Sequence, residues 1–296
     1  MKRLRFQKSK DLKVVDFFES LWDIVSKVKV KSLATRAIII IMRFVIIEKK
    51  NTHSEEVAGR LRGELLKAGF SEDVAEPEVV IVVGGDGSML YAVQQYMEQL
   101  DKVVFVGIHT GTLGFFMDYT EDEIAGFVED LQGGGEVKEF PILEAIFGEK
   151  KMYAVNEVRI ENPMRTQDVT IYFDGAEFEK LRSSGLCVAT QLGSTAYNRS
   201  LGGAILQEGM PALVFTEIAG IHHHEYKSVG VPFVMSDETE ITISSNDFEG
   251  AYLGVDSIGQ QLGGAGEVII RKSREKTLRM LRMRGISHFE RLQRLL

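Results

Sequence analysis

The chain has 296 residues, 44% hydrophobic and 26% charged, with 35 Lys and Arg against 43 Asp and Glu for a net charge of −8. These proportions allow a sizeable core in one large or two ordinary domains and exclude wholesale disorder. The acidic balance excludes a nucleic-acid binder held by a general positive field.

Residues 1–41 stand apart. They carry ten basic and four acidic side chains, a net of +6, which leaves −14 on the other 255 residues. Val14, Val15, Phe17, Phe18, Leu21, Trp22 and Val25 fall near helical spacing, which suggests a short amphipathic helix. Such a basic extension suits a membrane surface or an acidic partner, a peripheral leader, or translation begun upstream of Met42. The apolar run Ala37-Ile38-Ile39-Ile40-Ile41-Met42 is six residues long, whereas a bilayer core needs about 20, so no transmembrane segment is expected. No secretory h-region is readable in the first 36 residues.

From Arg43 the pattern becomes β/α. Phe44-Val45-Ile46-Ile47 reads as a buried strand. Thr52 and Glu55 read as a capping box, with Thr52 as N-cap, opening a helix through Val57, Leu61, Leu65 and Leu66 to Gly69. A second strand, Val79-Val80-Ile81-Val82-Val83, runs into Gly84-Gly85-Asp86-Gly87-Ser88 and a helix to about Leu100. A third, Val103-Val104-Phe105-Val106, leads into Gly107-Ile108-His109-Thr110-Gly111-Thr112-Leu113-Gly114-Phe115-Phe116. Thr120 and Glu123 open another helix, which stops at Gly133-Gly134-Gly135. Apolar strands alternating with amphipathic helices predict a Rossmann-like parallel sheet covered on both faces, with ligands at the carboxyl ends of its strands.

After Pro141 the period changes. Thr170-Ile171-Tyr172-Phe173, Leu186-Cys187-Val188-Ala189, Glu240-Ile241-Thr242-Ile243 and Glu267-Val268-Ile269-Ile270 read as strands, with a turn at Asp174-Gly175. The expected organisation is a basic extension over 1–41, an α/β domain over 42–138 and a β-rich, sandwich-like domain over 139–296. The tail from Lys276, with Leu278, Leu281 and Met283, reads as basic and helical. Cys187, the only cysteine, sits in an apolar run and reads as a small buried hydrophobe in a reducing, cytoplasmic setting.

Three segments could carry chemistry. Gly84, Gly85, Gly87 and Ser88 let the backbone approach an anion, and the helix that follows offers free N–H groups to a phosphate chain. Neither a Walker A loop nor a GxGxxG fingerprint is present. Asp86 there either caps the helix or takes a proton from an attacking hydroxyl and helps hold Mg²⁺. Asn156-Glu157 interrupts an apolar run, as an ordinary strand-edge pair or as a grip on vicinal ribose hydroxyls. The run Gly193-Ser194-Thr195-Ala196-Tyr197-Asn198-Arg199-Ser200 suits either a pocket for a planar base or a turn capped by Ser194 or Thr195. His222-His223-His224-Glu225 lacks a second ligand group at useful spacing, so no dedicated metal site is expected.

The ordered combination of the Gly-Gly-Asp-Gly loop, the Thr-Gly-Thr-Leu-Gly-Phe segment, the Asn-Glu pair and the Gly-Ser-Thr-Ala-Tyr-Asn run resembles the bacterial NAD kinase family from about Met42 onward. The resemblance implies transfer of the terminal phosphate of ATP to the 2′-hydroxyl of the adenosine ribose of NAD, with a divalent metal, in a homodimer or homotetramer. It implies that Asp86 is the base and that Asn156 and Glu157 hold the nucleotide. Phe115 and Phe116 would lie near the adenosine, Thr195, Ala196, Tyr197 and Ser200 would line the dinucleotide pocket, and Asp256 would lie close to the transfer site. The chain departs from the family pattern at Gln191-Leu192, at Ser183-Ser184-Gly185, where a carboxylate is lost, and at Ser257. Polyphosphate as donor stays open. So do a lipid or sugar kinase with the same glycine loop, and a non-catalytic NAD(P)-binding regulator.

Overall fold

The computed structural model describes residues 42–111, 114–221, 225–226 and 228–295, all in one compact unit. The amphipathic segment of the basic extension and the three consecutive histidines, His222 to His224, lie outside the described residues.

Strand β1 (Arg43–Glu48), helix α1 (Thr52–Lys67), β2 (Ser71–Glu72), β3 (Val79–Gly84), α2 (Asp86–Gln95), β4 (Val104–His109), β5 (Tyr119–Thr120) and α3 (Ile124–Gly133) form the α/β part. Strands β1, β3 and β4 pair in parallel. Every residue of β3 is buried, as expected of a strand covered on both faces. Alternate side chains separate the two faces. Val80 and Val82 pack with Met89, Ala92 and Val93 of α2, while Val79, Ile81 and Val83 pack with Leu61 and Leu65 of α1 and Phe127 of α3. At about 1.5–3 kcal/mol per fully buried aliphatic side chain, these faces anchor α2, and with it the glycine loop.

The β-rich part comprises β6 (Glu136–Phe147), β7 (Lys150–Ala154), β8 (Glu157–Glu161), β9 (Gln167–Phe173), β10 (Ala176–Ser183), β11 (Gly185–Ala189), α4 (Tyr197–Ser200), β12 (Ala212–Ile218), β13 (Phe233–Ser236), β14 (Ile241–Ser245), β15 (Tyr252–Val255), β16 (Ile258–Gln261), β17 (Gly266–Arg282) and α5 (His288–Gln293). A six-stranded antiparallel sheet runs β13-β12-β11-β8-β15-β16. Its inner residues Val158, Ile160, Leu186, Val188 and Phe215 pack on Ile171, Ile243, Val268 and Ile270 of the larger sheet. The expected α/β part followed by a β-rich sandwich is what the chain adopts. No described helix is long and apolar enough to cross a membrane.

Two local expectations are corrected. The α1 cap is Asn51, whose Oδ1 accepts from Ser54 N at 2.8 Å, and Thr52 is the first helical residue. Asn51 is extended, the conformation an N-cap requires, and Asn is a better cap than Thr. The tail from Lys276 is not helical. Residues up to Arg282 belong to β17, which pairs antiparallel with β6 and meets β4 in parallel at Phe105. Leu278 and Met280 pack in one apolar cluster and Leu281 in the cluster on the other face, a period of two; the Leu278–Leu281 spacing only imitated a helix. Helix α5 begins at His288, behind a capping box of Ser287 and Glu290.

Candidate active site

The glycine loop joins the carboxyl end of β3 to α2. Gly85 is the helix N-cap, Ser88 Oγ accepts from Gly85 N, and a Cβ on Gly84 would overlap the Ser88 side chain. Beside this turn lies a cavity of about 410 Å³ lined by Glu48, Lys49, Lys50, Gly85, Gly87, Ser88 and Tyr91. A helix N-terminus and two lysines make its floor attractive to a phosphate chain. Lys49 and Lys50 were not singled out from sequence; their position just after a parallel strand was the available signal.

Asp86 does not cap its own helix. Its carboxylate reaches across to the strap following the Thr-Gly-Thr-Leu-Gly segment, where Oδ2 accepts from Phe115 N at 2.8 Å and Oδ1 from Phe116 N at 3.1 Å. Gly114 permits the approach, since a Cβ there would overlap the carboxylate. Two N–H donors fix the carboxylate and leave lone pairs free for a further donor. The rings of Phe115 and Phe116 are buried at 4% and 3% exposure, packed edge to face, so these residues offer Asp86 their backbone. Thr112 and Leu113 lie outside the described residues.

The Asn156-Glu157 pair opens β8. Asp256, in the hairpin turn after β15 with φ of +50°, receives Val155 N and Asn156 N at 2.8 Å each and Glu157 N at 3.3 Å. Thr190 holds the same corner from the other side, donating from Oγ1 to Val155 O and from N to Asn156 O. A Cβ on Gly193 would overlap the Asn156 backbone. Backbone groups on both sides therefore hold the pair, and Asn156 Oδ1 and Glu157 Oε2 remain buried with no partner among the described residues. Burial, and after it the Asp256 carboxylate, raises Glu157 to about 7, against the pull of Arg159. Burial also pushes Asp256 up, opposed by the three backbone N–H groups.

Thr195 Oγ1 donates to Leu192 O, and Ala196 N to Gly193 O. Neither Ser194 nor Thr195 caps α4; Ser194 Oγ bridges Gln191 O and Leu206 N. Asn198 is wholly buried, donating to Ser194 O and Ala204 O and accepting from Thr216 Oγ1, so it braces this loop from within. Tyr197 donates to Glu161 at 2.7 Å and lies 4.4 Å beneath the Arg159 guanidinium, while Ser200 is exposed on α4. Arg159 also faces Glu157 at 3.9 Å and Glu161 at 3.1 Å, a link not anticipated from sequence because its partners are set by strand register.

Helix α2 joins the two groups. Its first residue is Asp86, and Gln94 near its end donates to Tyr153 O at 2.8 Å and bonds to Asp256. Met89, Phe115, Phe116, Val155 and Leu192 share one apolar cluster between them. Of the departures, Ser184 is engaged through its backbone with Ile218 and Asn162, and Ser257 is exposed. Among the described residues no three His, Cys, Asp or Glu side chains gather to hold a metal. A Mg²⁺ held by one carboxylate and substrate phosphates needs no such cage.

The family model described as ATP-NAD kinase C-terminal domain matches residues 155–282. The chain is 38% identical over 215 residues to an NAD kinase of Leuconostoc mesenteroides, covering 70% of this chain and 81% of that protein. It is 39% identical over 205 residues to one of Latilactobacillus sakei, covering 67% and 76%. In fold it is similar to yeast NADH kinase complexed with NADH, with a TM-score of 0.74 at 18% identity over 86% of each chain. It is also similar to an NAD kinase from Archaeoglobus fulgidus in complex with ATP, with a TM-score of 0.72 at 23% identity over 86% of this chain and 98% of that one.

Proposed function

The chain belongs to the NAD kinase family, and from that membership we propose how its own residues divide the transfer of a phosphoryl group to NAD. The donor is ATP, whose phosphates lie against the Gly85–Ser88 turn at the start of α2, with Lys49 and Lys50 balancing their charge. Asp86 accepts the proton of the adenosine 2′-hydroxyl as the hydroxyl oxygen attacks the terminal phosphorus, whose bond to the β–γ bridging oxygen breaks to release ADP. Asn156 and Glu157 orient the ribose through the atoms that have no partner among the described residues. Thr195, Ala196, Tyr197 and Ser200 line the dinucleotide side. Asp86 would hold a Mg²⁺ ion, which would supply charge neutralisation at the donor phosphates.

The observation that carries this reading is the carboxylate of Asp86, pinned by two backbone N–H groups beside a glycine-rich helix start. Orientation and electrostatics do most of the work in such a site, and the base adds roughly 10²–10⁴-fold. Purified protein given NAD, ATP and Mg²⁺ should form NADP, and Asp86→Asn should lose about two orders of magnitude in kcat. Folded wild-type protein that forms no more NADP than the variant would end the proposal.

The family reading also carries a homodimer or homotetramer. Strand β13 is an edge of the six-stranded sheet and exposes Phe233 and Val234, a surface suited to a second copy. The single cysteine, free and buried with its thiol pushed up by burial, suits the cytoplasm.

A further inference from the structure

The strap that holds Asp86 is itself held from behind by arginines of the last strand and helix. Arg282 Nη1 donates to Phe116 O at 3.1 Å, Arg291 Nη1 to Phe115 O at 3.1 Å, and Arg294 Nη1 to Met117 O at 3.0 Å. Arg282 and Arg291 also share the buried Asp118 carboxylate, so two cations meet one anion there. Arg291 is 1% exposed, and its Nε is buried with no partner among the described residues. A guanidinium is buried at this depth only against such polar partners.

The three contacts are not equivalent. The C=O of Phe115 and the N–H of Phe116 belong to one peptide group. At its oxygen end sits the Arg291 cation, and at its N–H end the Asp86 carboxylate, 3.1 Å from the nitrogen. Both charges favour the peptide dipole in the same sense, so each hydrogen bond strengthens the other. The carbonyl that Arg294 takes belongs to the next peptide but one, whose N–H, that of Asp118, donates to Gly107 O instead.

We propose that Arg291 of α5 is a positioning residue for Asp86, acting through the single Phe115–Phe116 peptide. The inference rests on Asp86 being the base. The guanidinium polarises and orients that peptide, which in turn fixes the carboxylate toward the attacking hydroxyl. Arg291 touches no substrate in this arrangement, so it governs turnover and not binding.

The test is a set of variants of the full chain assayed for NADP formation. Arg291→Met should lower kcat by about 10²-fold, the scale of a small misplacement, with KM for NAD and ATP within about two-fold of wild type. Arg291→Lys, which keeps the charge and one donor, should restore about ten-fold of that loss. Arg294→Ala, which removes a similar contact from the same strap, should leave kcat within about three-fold. In an Asp86→Asn background Arg291→Met should cost less than about two-fold more, because the group it serves is gone. An equal loss in that background, or an equal loss in Arg294→Ala, would overturn the proposal in favour of general bracing of the strap. Amide hydrogen exchange at Phe116 gives a readout free of turnover: it should quicken in Arg291→Met and not in Arg294→Ala, and unchanged exchange would also overturn the proposal. Absence of NADP from wild type would instead sink the kinase reading, with the exchange experiment still deciding whether Arg291 holds the peptide.

Discussion

Glu157 is a carboxylate that the fold buries without a partner for one of its oxygens. With its folded value raised to about 7 from the ordinary 4.5, the native state holds this proton more tightly than the unfolded chain does. Its favourable contribution is therefore present below about pH 4.5 and is lost as pH rises to about 7, after which the charged group is a constant burden. Glu157→Gln should accordingly stabilise the protein at pH 8, by about 1–3 kcal/mol, and have little effect at pH 4. In the proposed role the same carboxylate, once ionised, accepts hydrogen bonds from ribose hydroxyls, so KM for NAD should fall as pH rises through about 7 in the wild type and stay flat in the variant. Thermal melts and initial rates at both ends of the range check the pair of effects; a wild-type KM without pH dependence would remove Glu157 from the ribose. The Asn-Glu dipeptide was legible in the sequence. The partners that hold it were not, because they are Asp256, a hundred residues away, and Thr190 and Gly193.

At the scale of elements, the site is two backbone segments laid against each other: the start of α2 and the strap that ends at β5. Their fit depends on one missing side chain. Gly114→Ala would drive a methyl group into the Asp86 carboxylate and turn it away from Phe115 N and Phe116 N. Such a shift should lower kcat by about 10²-fold, while the melting temperature falls by only a few degrees, because the strap's Phe115 and Phe116 rings keep their places in the core. Unchanged kcat in that variant would show that the paired hydrogen bonds do not set the geometry of the base. Both segments were readable as glycine-rich ends of parallel strands. Their mutual grip was not, since Asp86, which the sequence offered as a helix cap or a base, satisfies donors from another loop. Helix starts with Asp in the first turn look alike in sequence whether the carboxylate turns inward or across.

At the scale of the whole molecule, the α/β and β-rich parts share one eleven-stranded sheet through its longest strands. β6 and β17 pair from the sandwich down to the parallel strands, where Met280 meets Phe105 of β4, so the end of the chain lies behind the strap. The edge strand β13 is the opposite case, an apolar border with no further partner among the described residues. Light scattering should give a mass that is a multiple of 33.1 kDa, and Val234→Glu, at an exposed position, should reduce it; a wild-type monomer would refute the assembly. The sequence by itself determined the order of strands and helices in the α/β part, the glycine loop after a buried strand, and the residue types of the site, because periodicity and turn chemistry act over a few residues. Only the tertiary structure decided that residues 276–282 are a strand, that Asp86 is gripped by Phe115 and Phe116, and that Arg291 stands behind them. Those outcomes are set by strand register and by polar groups that must find partners far along the chain, and neither leaves a local mark in the sequence.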